Sequence, residues 1–155
     1  MTDTQTSTSL SLGAFLPYRL SILSNTVSKR IADLYQSEFG LSMPQWRVMA
    51  IIGETPDLNA TEIVTRTAMD KVAVSRAVSG LIEQGHIKRE AAQDDGRRAL
   101  LNLTVKGQRT YGEIVPMAQA QECAVTQALN ADEITELNRL LGKLADAASP
   151  GRALW

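Results

Sequence analysis

Leu16, Leu20, Leu23, Val27, Ile31 and Leu34 recur at three- and four-residue spacing, which predicts one apolar stripe along a helix from about Pro17 to Glu38, ended by Gly40. Ser42 and Gln45 then form a capping-box pattern with Pro44 in the first turn. They open a helix that turns Trp46, Val48, Met49 and Ile52 inward and stops near Gly53. Asn59 and Glu62 repeat the pattern before a short helix that carries Ile63 and Val64 to about Thr67. Asp70 caps the next helix, whose Val74, Val78, Leu81 and Ile82 share a face, and Gly85 ends it.

After Gly85 the rhythm becomes extended. Residues His86 to Glu90 and Ala99 to Leu103 read as two strands joined by the polar tract 93–98, a hairpin with a charged tip. Thr104 caps a long helix carrying Tyr111, Ile114, Val115, Ala118, Val125 and Leu129, in which Pro116 removes one amide donor and predicts a kink. Asn130 and Glu133 cap a last helix with Ile134, Leu137, Leu140, Leu141 and Leu144 on one side. The expected fold is mainly α with a small β-hairpin wing (α+β), a winged helix-turn-helix with long terminal helices. Its expected parts are a tail at 1–15, a helical scaffold at 16–40 and 104–148, a winged lobe at 41–103 and a tail at 149–155. Long amphipathic stripes outside a small winged core have no partner in their own chain, and such helices pair across a two-fold axis, so the expected assembly is a homodimer.

Composition narrows the function classes. Hydrophobic residues make up 44% and charged residues 21% of the 155, and no apolar run approaches the ~20 residues of a membrane span, so a soluble, cytoplasmic protein is expected with no membrane partner. Met1 to Ser11, rich in Ser and Thr, lacks the basic leader and apolar core of a signal peptide and reads as a tail. One cysteine, Cys123, and one histidine, His86, are too few for a disulfide framework or a transition-metal cage, and no cofactor is implied. They also fall on different elements, which disfavours nucleophilic catalysis: Cys123 reads as a helix residue without an oxidant-sensing role, His86 as a strand-edge residue. The net charge of −1 hides an uneven distribution. Residues 66–109 hold nine Lys or Arg against five Asp or Glu, and the rest holds seven against twelve. A basic middle between acidic ends suits a DNA-binding face on a separate scaffold, in the cytoplasm at the nucleoid.

On a helical wheel at about 100° per residue, Arg76 lies opposite the apolar face of the Asp70 helix, flanked by Val72, Ala73, Ser79 and Gly80. A slim helix carrying one Arg among small residues enters a major groove, where the guanidinium donates to guanine O6 and N7. Lys71 and the helix N-terminus suit phosphate, and Ser75 completes the candidate DNA-binding set on this helix. In the hairpin tract, Arg97 and Arg98 beside Gly96 suit a narrow minor groove, and Asp95 can hold Arg97 in one orientation.

These residues resemble the MarR family of winged helix-turn-helix regulators, over about Leu16 to Ala148. Asp95-Gly96-Arg97-Arg98 followed by Leu103-Thr104 and Gly107 is similar to that family's wing signature. Ser42 to Val48 resembles its second-helix segment, and Leu81 to Gly85 the end of its recognition helix. The resemblance implies a homodimer joined by its first and last two helices, Arg97 in the minor groove oriented by Asp95, and the Asp70 helix reading a pseudo-palindromic operator. It also implies regulation by a small, often aromatic or phenolic anion or its thioester, held between scaffold and lobe, with Tyr18, Arg19, Met43, Trp46, Arg47, Tyr111 and Met117 as candidate lining. For Trp46 and Met43 the competing role is plain core packing. A repressor released by such a ligand is the expected function. The alternatives are a ligand-independent DNA-binding regulator and a winged helix used for protein interaction, for which an outward Arg76 and a cationic hairpin tip are unnecessary.

Overall fold

The computed structural model describes residues 10–92 and 99–151, and the hairpin tract 93–98 falls outside them. Among the described residues six helices and two strands follow in order: α1 Leu16–Phe39, α2 Met43–Glu54, α3 Ala60–Arg66, α4 Lys71–Glu83, β1 Ile87–Ala91, β2 Ala99–Leu103, α5 Val105–Thr126 and α6 Ala131–Ala148. Local chemistry sets most of their ends. Reciprocal capping boxes join Ser42 to Gln45, Asn59 to Glu62 and Asn130 to Glu133, each satisfying amides that the first helical turn leaves without partners. Asp70 accepts from the Ala73 amide at 2.8 Å, and Thr104 from the Gly107 amide at 3.0 Å. Gly40 closes α1 at φ +66°, donating to the Gln36 carbonyl, a left-handed conformation that glycine adopts without a Cβ penalty.

The hairpin is antiparallel, with Ile87 opposite Leu103 and Ala91 opposite Ala99. A single bridge adds the α2–α3 loop at its edge: the Leu101 amide donates to the Leu58 carbonyl at 2.8 Å. One core fills the space between these elements. Val48, Met49 and Ile52 of α2, Ile63 of α3, Val74, Val78 and Leu81 of α4, Ile87 and Leu101 of the strands all meet in it. The core also takes in Ala32 and Tyr35 of α1 and Ile114 of α5, so both long helices are anchored by one stretch and project beyond it.

The stripe of α1 is without a partner in its own chain at its start, as expected: Leu16, Leu20 and Leu23 are exposed, and only the C-terminal half of the helix reaches the core. Several other expectations are corrected. Helix α5 ends at Thr126, so Leu129 lies in the turn leading to Asn130. On α4 the buried residues are Val74, Ala77, Val78 and Leu81, while Ile82 is exposed at the margin of that face. His86 is 4% exposed, not at a strand edge.

Its burial follows from the backbone around it. The His86 amide donates to Leu81, and its carbonyl accepts from both the amide and the hydroxyl of Thr104, so the residue is held between the end of α4 and the start of α5. Burial, and secondarily the Lys106 charge, push the imidazole pKa below its ordinary value, leaving the ring neutral at pH 7. Among the described residues its Nδ1 has no hydrogen-bond partner.

Candidate nucleic-acid interface

Helix α4 presents two chemically distinct faces. Val74, Ala77, Val78 and Leu81 are sealed in the core, and Lys71, Val72, Ser75, Arg76 and Ser79 are exposed on the other side, with Ala73 half-buried between them. From Lys71 to Ser79 the exposed set contains two cations, two hydroxyls and one apolar side chain, and no carboxylate. Among the described residues neither Lys71 nor Arg76 has an ion-pair or hydrogen-bond partner. A cation left unpaired on a protruding helix is free to bind an external acceptor without first breaking an internal bond.

Gly80 does not belong to that outer face, contrary to expectation. It lies where α4 meets α2: a Cβ built on it would come within 2.6 Å of Gln45 Nε2. Gln45 is held there by the Ser42 amide, which donates to its Oε1 at 2.8 Å. Ser42, Pro44 and Gln45 flank a groove of about 320 Å³ with Ala73, Arg76 and Ala77, so the start of α2 lies beside Arg76.

Arg89 of β1 is a cation that sequence reasoning passed over. It shares a cleft of about 270 Å³ with Lys71 and Ser75 of α4 and Ala60, Thr61 and Val64 of α3. Its only sequence signal was membership of the basic segment 66–109. The strand register, which sets Arg89 opposite Leu101, is what turns it toward α4. Asp95, Arg97 and Arg98 lie outside the described residues.

The residues proposed to hold a small anion do not form one cluster within a protomer. Trp46 stacks on Tyr111, with ring centroids 6.0 Å apart, and meets Tyr35 at a tilt of 38° with centroids 5.7 Å apart, and Met43 packs on the core. Trp46 also edges an apolar groove of about 370 Å³ formed with Val27, Ile31, Val115, Ala118 and Val125. Tyr111 edges a different cleft, with Ile52, Lys88 and Asn102. Arg47 is half-buried, and its charge opposes the effect of burial on Tyr35, whose phenol is nevertheless pushed up to about 12. Met117 is half-buried on α5. Tyr18 and Arg19 are exposed in the first turns of α1, about 12 Å along the helix before Val27 at 1.5 Å rise per residue. Cys123 is exposed on α5.

This order of helices, with a hairpin after the exposed α4, is matched in sequence and in structure. Residues 39–98 match the model of the MarR family. The transcriptional regulator MgrA of Staphylococcus aureus is 32% identical over 121 residues, 78% of this chain and 81% of that protein. The chain belongs to the MarR family of transcriptional regulators. The relatives it matches are transcriptional regulators. The MarR/EmrR-family regulator of Acinetobacter sp. ADP1 superposes with a TM-score of 0.83 at 26% identity, covering 90% of this chain and 98% of that one. A mutant of MarR from E. coli, solved in complex with operator DNA, superposes with a TM-score of 0.73 at 25% identity, covering 88% of this chain and 99% of that one. Among the described residues no helix is long and apolar enough to cross a membrane.

Proposed function

We propose that this MarR-family chain is a homodimeric repressor that binds a pseudo-palindromic operator in the cytoplasm, at the nucleoid, and is released by a small anionic ligand. The observation that carries the DNA-binding reading is the exposed face of α4, where Lys71, Val72, Ser75, Arg76 and Ser79 stand opposite a fully buried face with their cations unpaired among the described residues. Arg76, with Val72, Ala73 and Ser79 around it, reads base edges in the major groove, while Lys71, Ser75 and the helix N-terminus hold phosphate. Arg97, oriented by Asp95, enters the minor groove, and Arg98 accompanies it. The E. coli relative was solved in complex with operator DNA, which supports the DNA-binding reading.

Two exposed apolar faces support the dimer. Leu16, Leu20 and Leu23 of α1 and Leu137, Leu140 and Leu144 of α6 are each between 39% and 58% exposed in one protomer, and among the described residues helix α6 has no extensive packing partner in its own chain. A second copy covering both faces places two recognition helices about one DNA turn apart. The effector, an aromatic or phenolic carboxylate or its thioester, binds between scaffold and lobe. There Trp46, Arg47, Tyr111 and Met43, with Tyr18, Arg19 and Met117, supply flat apolar surface and positive charge. The ligand shifts the dimer toward a state whose recognition helices no longer match successive grooves.

Fluorescence anisotropy with random duplex and with a duplex selected from a random library tests this reading. Between about 50 and 200 mM salt, log affinity should fall linearly for both, and the selected duplex should bind on the order of 10³-fold or more tightly. Phenolic acids added in the same assay should release the selected duplex. Failure to bind any duplex at low salt would make the fold a protein-interaction module, and binding unmoved by a broad ligand panel would make it a ligand-independent regulator.

A further inference from the structure

Asp57, in the α2–α3 loop, is the one non-glycine residue with positive φ among the described residues, at +61°. This conformation is uncommon for a side chain-bearing residue, and aspartate is among the few types that tolerate it. Asn102 of β2 secures it from both sides: the Asp57 amide donates to Asn102 Oδ1 at 2.9 Å, and Asn102 Nδ2 donates to Asp57 Oδ1 at 2.7 Å. The same Nδ2 donates its second hydrogen to Glu90 Oε2 of β1 at 3.0 Å, and Lys88 donates to the other Glu90 oxygen at 2.8 Å. One carboxamide thus ties three segments together: the loop and both strands of the hairpin.

The position of this tie matters more than its strength. Asn102 stands opposite Lys88, one pair from the root of the hairpin at Ile87 and Leu103. The backbone joins the hairpin to the α2–α3 loop through a single bridge, Leu58 to Leu101, and one bridge can act as a pivot. Two residues after Asp57, Asn59 caps α3, which packs on α4. The side-chain tie therefore fixes the pitch of the hairpin relative to the pair of helices that carries the exposed cations. Five strand residues span about 17 Å, so a rotation of about 10° at the root displaces the far end of the strands by about 3 Å, the length of a hydrogen bond.

We propose that Asn102 is a positioning residue for DNA binding: with Asp57 and Glu90 it sets the angle at which the hairpin leaves the α3–α4 pair, so that hairpin and recognition helix meet one duplex together. It touches no DNA itself. The proposal rests on the reading of the hairpin as a DNA-contacting wing.

A double-mutant cycle on selected duplex separates the two ideas. Asn102→Ala should weaken binding about tenfold, as should Arg97→Ala, and the double variant should be no more than about twofold worse than Arg97→Ala alone, because both act through the same contact. Combined with Arg76→Ala, the Asn102→Ala loss should multiply. Asp57→Asn, which keeps an amide oxygen and tolerates positive φ, should bind like the wild type. Asp57→Gly keeps the backbone and removes the acceptor, so it should reproduce the loss; it replaces Asn102→Ala in the cycle if that variant melts below assay temperature. Should Arg97→Ala bind normally, the wing reading falls and this proposal with it. If Arg97→Ala weakens binding while Asn102→Ala has no effect, or multiplies with it, only the positioning role is overturned.

Discussion

Gly107→Ala should destabilise the fold by about 3 kcal/mol, at the severe end of what one added methyl does in a packed interior. A Cβ on this residue would overlap the His86 carbonyl oxygen and sit 2.9 Å from its carbonyl carbon. Both are backbone atoms, so no rotamer change relieves the clash. The His86 carbonyl cannot simply withdraw, because the Thr104 amide at 3.0 Å and the Thr104 hydroxyl at 3.2 Å both donate to it. The substitution pushes apart the end of α4 and the start of α5. For a chain of this size the loss corresponds to a fall in melting temperature on the order of 10 °C. Gly112→Ala on the same helix is the matched control: nothing lies within 4 Å of its added Cβ, and it should be neutral or stabilise by up to about 1 kcal/mol. Thermal melts followed by circular dichroism decide the matter; two variants melting within a degree or two of each other would refute this account of Gly107.

Removing α6 should have a comparably large effect on assembly and on DNA. Leu137, Leu140 and Leu144 are 41%, 43% and 42% exposed in a protomer, and among the described residues α6 has no extensive contact with the remainder of its own chain, so its loss leaves the core of α2, α3, α4 and the strands intact. In the proposed homodimer a second copy buries this face and the start of α1. A chain ending at Asn130 should sediment as a monomer or aggregate. Operator affinity should drop by roughly 10²–10⁴-fold, the factor lost when two linked half-site contacts become independent. A truncated chain that remains a dimer by light scattering would exclude α6 from the interface.

Features encoded over a few neighbouring residues were legible in the sequence. The three capping boxes, the Asp70 and Thr104 caps and Gly40 depend on contacts within four residues, and each stands where the pattern put it. The two faces of α4 were legible for the same reason, since a wheel needs only the helix itself. Gly80 was misplaced because its environment is supplied by Gln45 of another helix, and His86 because its cover comes from Thr104 and Gly107, eighteen and more residues later. Gly107 was visible as part of a motif, but the reason for it, a backbone approach too close for any Cβ, is a property of the packed structure. Asn102 and Asp57, 45 residues apart and ordinary in composition, gave no signal at all. The distance of Arg19 from Trp46 within one protomer was not legible either: the apolar period of α1 is real, but it does not say which stretch of the helix reaches α2.

The most direct test of base reading by the outward face of α4 compares Arg76→Ala with Lys71→Ala on selected and random duplex across a salt series. Arg76→Ala should cost roughly 1–3 kcal/mol on the selected duplex alone and relax its preference at one base pair, whereas Lys71→Ala should weaken both duplexes alike and lower the salt slope by about one. Equal losses on selected and random DNA for Arg76→Ala would contradict the account, because a residue that cannot tell the two apart is not reading bases.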